Sequence, residues 1–134
     1  MKYYINKKIR SEFEDAVRLV VESLKNEGFG VLTEIDIHEK LKEKLNIDFR
    51  KYIILGACNP PLAYKALQEE DKIGTMLPCN VIIQELDNDE VEVAAVDPVT
   101  SMQAAENKEL AGIADKVRNK LMSVIDNISN KTAH

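Results

Sequence analysis

Two short segments concentrate the residue types that could do chemistry. Cys58-Asn59-Pro60-Pro61 follows an apolar run from Ile53, and Pro78-Cys79-Asn80 echoes it 21 positions later. Together they hold the only two cysteines and three of the four prolines. Asn59-Pro60 reads as the N-cap and first residue of a helix, because proline is pre-organised there and lacks only an amide that would go unpaired. Cys58 therefore precedes a helix N-terminus, where the dipole favours a thiolate and the chemistry would be that of a reactive thiol. The plainer account is a small buried hydrophobe, since free cysteine is among the most buried residue types.

The two segments form one site only under one topology. If the strands that carry them run antiparallel, Cys58 and Cys79 meet at one sheet edge, as do Asn59 and Asn80. If the strands run parallel, the four residues sit apart. Three further positions complete the candidate set. Glu34 is a carboxylate on an alternating strand and could serve as a general base if its face lines a cleft, although such residues more often face water. Asp97 with Pro98 reads as a strand-ending turn, with Thr100 or Ser101 capping the segment after it. The amides from Asn59 to Leu62 could hold an anion, but no Gly-rich loop with a following lysine accompanies them, so a nucleotide-phosphate site has little support.

Other chemistries are poorly represented. The two histidines are His38 and His134, and there is no C-x-x-C, so no metal site or cofactor is expected. His38 has no evident orienting partner for a nucleophile–base pair. Lys40, Lys42 and Lys44 alternate with Glu39 and Glu43 and read as a solvated face.

The elements that must position these residues follow from periodicity. Residues 2–9 suggest a strand. Ser11-Glu-Phe-Glu14 has capping-box spacing ahead of Phe13, Val17, Val20, Val21 and Leu24, and Gly28 is placed to end that helix. Val31 to Asp36 alternates as a strand, and Asp36 could cap a short helix carrying Ile37, Leu41 and Leu45 to Asn46. Ile53–Cys58 reads as a buried strand and Leu62, Ala63, Ala66 and Leu67 as the apolar side of a helix. Met76–Leu86 and Val91–Val96 read as a hairpin around a polar turn at 87–90. Leu110, Ile113, Ala114, Val117, Leu121, Val124, Ile125 and Ile128 mark a long amphipathic helix. The expected order is β-α-β-α-β-α-β-β-α, an α+β fold with two main helices covering a sheet.

One domain is expected over residues 1–134, with a folded core over 2–128 and a polar tail at 129–134. Hydrophobic residues make up 45% and charged residues 31%, which suits a soluble globular protein, and aromatics at 5% leave the core to aliphatic side chains. The net charge of −5 opposes a nucleic-acid partner. No apolar run behind the N-terminal charges suggests a signal peptide, and none is long enough for a membrane span, so a cytoplasmic protein with reduced thiols is expected.

Gly28-Phe-Gly-Val-Leu-Thr-Glu-Ile-Asp36, Ile54-Leu-Gly-Ala-Cys-Asn-Pro60, Ile73-Gly74 with Leu77-Pro-Cys-Asn-Val81, and Asp97-Pro98 together resemble the domain-of-unknown-function family 302. The resemblance runs from about Lys2 to Ile128. It implies a TATA-box-binding-protein-like, helix-grip arrangement, with a curved antiparallel sheet, long helices on one face, and a homodimer. The family's motif residues fall on Glu34, Cys58, Asn59, Pro60, Cys79, Asn80, Asp97 and Pro98, and the implied antiparallel sheet favours converging cysteines. A fold analogy to a DNA-binding protein does not import DNA binding. The leading expectation is a small binding or accessory domain with a small-molecule pocket near the two Cys-Asn segments. Asn59, Pro60, Asn80 and Asp97 would contact the ligand. The alternatives are a thiol-dependent enzyme or redox protein using Cys58, with Cys79 and Glu34 as further candidates, and a structural protein-interaction module.

Overall fold

A computed structural model describes residues 2–129 of the chain. The chain runs β1 (Tyr4–Arg10), α1 (Phe13–Asn26), β2 (Gly30–Asp36), α2 (Ile37–Leu45), β3 (Tyr52–Cys58) and α3 (Pro60–Glu69). After a 3₁₀ segment (Asp71–Met76) come β4 (Cys79–Glu85), β5 (Glu90–Val96), the short helix α4 (Pro98–Met102), a 3₁₀ turn (Gln103–Ala105) and α5 (Lys108–Asp126). The strands form one sheet in the order β1-β5-β4-β3-β2, every neighbouring pair antiparallel. This is the α+β class that the sequence pattern predicts. The polar tail expected at 129–134 lies outside the described residues from position 130 onward.

Because side chains alternate along a strand, register decides what enters the core. Ile53, Ile83 and Val93 stand in one row across β3, β4 and β5, and Leu55, Val81 and Ala95 in the next. All six are buried, and α1 and α5 cover them with Ala16, Val20 and Leu24 from one helix and Leu121, Val124 and Ile125 from the other. Burying each large aliphatic side chain contributes about 1.5–3 kcal/mol. Ser23 is a polar side chain buried between these helices, and its hydroxyl donates to the Val124 carbonyl at 2.8 Å, so its burial leaves no donor unpaired. A smaller apolar cluster of Ala66, Ile73, Met102, Leu110 and Ala114 ties α3, the 3₁₀ segment and α4 to the first half of α5.

Several local expectations hold. Gly28 ends α1 with φ +85°, and its N–H donates to the Lys25 carbonyl. Asp36 accepts the Glu39 amide to start α2, and Asn46 closes that helix in the left-handed region. Others do not. Ser11 does not cap α1: its hydroxyl donates to the Glu12 carbonyl, while its N–H donates to the Asp89 carbonyl. That bond extends the β1–β5 ladder by one residue, so the backbone at Ser11 is committed to the sheet and Glu12 takes the cap position without a side-chain bond. Strand β4 begins at Cys79 rather than Met76, because Asp71–Met76 coils as 3₁₀ and Pro78 has no N–H for the ladder. Asp97-Pro98 is more than a turn. It starts α4, with Asp97 itself as the cap and neither Thr100 nor Ser101 in that role, and Asn107 caps α5 through the Leu110 amide. Among the described residues no helix is long and apolar enough to cross a membrane.

Candidate functional site

The end of β3 is built as its sequence suggests. Asn59 Oδ1 accepts the Leu62 amide at 3.3 Å and Pro60 occupies the first turn of α3. Gly28 makes room for this cap, since a Cβ there would lie 3.1 Å from Asn59 Nδ2. Gly56, in the middle of β3, is covered on the face away from the helices, where a Cβ would strike Thr33 Oγ1 and lie 2.7 Å from Pro78 Cγ.

The antiparallel pairing of β3 with β4 places Cys79 directly across from Ala57 and brings Cys58 and Cys79 to one recess. Phe29, Leu62, Met102 and Val117 close that recess, leaving about 20 Å³. Such a space admits a single water and no metabolite. Burial pushes both thiols above their ordinary value, Cys79 to about 11 with the neighbouring Cys58 as a second cause. The expected lowering by the α3 N-terminus is therefore not what governs these groups. Desolvation penalises the thiolate, and both cysteines are neutral thiols at neutral pH.

The other expected members do not gather here. Asn80 pairs with Gly56 and is exposed on the opposite face of the sheet from Cys79, so it does not meet Asn59. Glu34 lies exposed on edge strand β2, across from Leu55, and does not line the cysteine recess. Among the described residues no three His, Cys, Asp or Glu side chains are grouped to hold a metal ion.

A larger space lies on the other side of Met102. The cleft between α4 and α5 has a volume of about 570 Å³ and is walled by Val99, Thr100 and Met102 on one side and Ala111, Ala114 and Arg118 on the other. Asp97 stands at its inner end, only 8% exposed. Asp97 Oδ1 accepts the Val99 amide at 3.0 Å, and Oδ2 accepts Arg118 Nε at 3.1 Å. Both carboxylate oxygens are thus used, one to start α4 and one to fix a guanidinium in the wall. Met102 borders both this cleft and the cysteine recess, so the two sites share a side chain. Of the sequence candidates, Asp97 alone lines the cleft. Sequence reasoning misses Arg118 and Met102; the signal available is the spacing Ala111, Ala114, Arg118, a small-residue face on the last helix that ends in a cation.

An α+β domain with this strand order and these motif segments has relatives. The model of the family described as "Domain of unknown function DUF302" matches residues 5–128, and the chain belongs to that family. The crystal structure of an uncharacterized conserved DUF302 protein from Bacillus stearothermophilus is similar at a TM-score of 0.87 and 28% sequence identity, covering 94% of this chain and 98% of that one. No curated protein gives a significant match.

Proposed function

We propose that the protein is a small-molecule-binding domain whose ligand occupies the cleft between α4 and α5. The observation that carries this reading is the cleft itself. Its 570 Å³ is in the range of ligand sites, its walls are largely apolar, and a few polar groups converge at its inner end. Apart from Asp97, the segments singled out by sequence support the cleft rather than line it. Cys58, Asn59 and Cys79 back the Met102 side chain, and Pro60 starts the helix whose Ala66 packs in the same small cluster. Asn80 and Glu34 have no part in it. A thiol-dependent reaction draws less support, because Cys79 is buried, Cys58 is half-buried, and burial raises both thiols above their ordinary value.

Ala111 lies on the exposed side of α5 at the cleft wall, so Ala111→Trp would fill the space without disturbing the core. The test is a thermal-shift screen of small metabolites, with native mass spectrometry of gently purified protein. A compound that protects the parent chain and not Ala111→Trp is the expected result. A broad screen with no protection, and no co-purified ligand, would overturn the reading.

The same proposal places the protein in a reducing compartment such as the cytoplasm, as a homodimer. What supports the dimer is the row Ile35, Ile54, Ile82 and Ala94, in register across the sheet face that α1 and α5 leave uncovered. Ile35 is 42% exposed. Sedimentation velocity of the parent chain and of Ile82→Glu is the check: a dimer that Ile82→Glu turns into a folded monomer is expected, and a monomeric parent chain would refute it.

A further inference from the structure

We propose that the cleft is selective for small monocarboxylates with an elongated apolar body, the carboxylate seated on Arg118. The inference rests on the ligand-binding reading above and adds the chemical class of the ligand.

The guanidinium is oriented before any ligand arrives. Nε is engaged by Asp97, and one terminal nitrogen donates to Met122 Sδ at 3.1 Å. Arginine has five N–H donors in a planar fork, so the terminal edge keeps donors for a carboxylate, which such a fork can bind through two parallel hydrogen bonds. The Arg118 side chain is 39% exposed and lines the cleft, whereas the Asp97 side chain is 11% exposed. The cation is the more accessible of the pair, while its counter-charge lines the same cleft but is mostly buried.

The same arrangement limits the charge of the ligand. With the Asp97 carboxylate against Nε, the inner end of the cleft carries little net positive charge. A monoanion adds one favourable partner to Arg118, whereas a phosphate dianion would also face Asp97 without a second cation beside it. Lys108 also borders the cleft, but with Glu106 beside it at the opposite end.

The body of the ligand follows from α5. Asn107, Ala111, Ala114 and Arg118 recur at spacings of four, three and four residues and share one helix face. At about 1.5 Å per residue the distance from Asn107 to Arg118 is roughly 16 Å. Along it the floor is alanine, and the facing wall is Val99 and Met102 with Thr100 and Gln103 beside them. A floor without long side chains, faced by two apolar side chains and ended by a guanidinium, fits a chain or narrow ring with one terminal carboxylate.

The probes are octanoate and octanamide, which share shape and differ in charge, titrated into the ¹⁵N-labelled full chain at neutral pH. Saturable shifts of the Ala111, Ala114 and Arg118 amides are expected, with octanoate at least tenfold tighter than octanamide. Arg118→Gln should remove most of the difference, bringing octanoate close to the affinity of octanamide. Equal affinities in the parent chain would overturn the carboxylate preference, and this comparison needs no variant to fold. Octanoate affinity unaltered in a folded Arg118→Gln would overturn the role of Arg118. If neither probe shifts these amides but a neutral or cationic compound from the screen does, the inference fails while the ligand-binding reading stands. If nothing shifts them, both fail.

Discussion

Arg118 Nε lies 3.1 Å from Asp97 Oδ2, and through that one bond the residue that starts α4 is fastened to the middle of α5. The cleft between the two helices is therefore held open by a residue that is also a helix cap. Removing the Asp97 side chain loosens both features together.

Asp97→Ala should lower stability by about 2 kcal/mol, combining a lost cap with a lost charge-assisted hydrogen bond. Asp97→Asn keeps a good capping side chain and weakens only the contact with Arg118, so roughly 1 kcal/mol is expected. Urea denaturation of the two variants separates the contributions. Equal losses would mean that the pairing with Arg118 and not the cap dominates.

The buried thiol makes stability depend on alkaline pH. Cys79 is raised from 9.0 to about 11 in the folded chain. Between these values the unfolded chain has lost a proton that the folded chain still holds. Unfolding then becomes easier as pH rises, and the neutral thiol's contribution is complete below pH 9 and gone above about 11. The linkage is worth roughly 2–3 kcal/mol across that window. Denaturation midpoints at pH 8, 9, 10 and 11 should fall more steeply for the parent chain than for Cys79→Ala. Parallel curves would show that Cys79 is not the group responsible.

Alkylation should report the same burial. Cys58 is half-buried and Cys79 only 5% exposed, and burial raises both thiols. With iodoacetamide at pH 8, Cys58 should react more slowly than a free cysteine and Cys79 only on unfolding. Peptide mapping over time distinguishes the two sites. A rate for Cys58 above that of free cysteine would restore the reactive-thiol reading.

How much of this is legible in the sequence depends on the range of the interaction. Asn59-Pro60, Asp36 and Gly28 act within one turn of their own positions, and each does what its type suggests. Ser11 has the same local signature and fails, because a hydrogen bond from its N–H to the carbonyl of Asp89, far along the chain, claims its backbone. Asp97-Pro98 reads as a turn although its pattern matches Asn59-Pro60, since the helix it starts is only five residues long. The cysteines converge as an antiparallel sheet requires, but the pairing of Cys79 with Ala57 sends Asn80 to the far face, and a strand period of two allows nothing else. The size of the recess and the reach of Arg118 to Asp97 are matters of side-chain packing, which spacing does not encode.

Gly56 gives the sharpest test of that packing. It is buried in β3, and Thr33 on β2 and Pro78 ahead of β4 close over it from the side opposite the helices. In most strand interiors alanine would be the better residue, because glycine loses more freedom on folding. Here the added methyl has no place: it meets Thr33 Oγ1 and stands 2.7 Å from Pro78 Cγ, closer than such atoms can pack. Both neighbours must shift, and Pro78 cannot shift far without moving Cys79 and the start of β4. Gly56→Ala should therefore cost about 1–3 kcal/mol, the range for forcing a methyl into a filled site. Thr33→Ala in the same chain removes the hydroxyl contact and leaves the one to Pro78, so it should recover part of the loss and not all of it. Thermal unfolding of the two single variants and the double variant measures the coupling. An additive result would place the strain at Pro78 alone, and a stabilised Gly56→Ala would contradict the packing described for this end of the sheet.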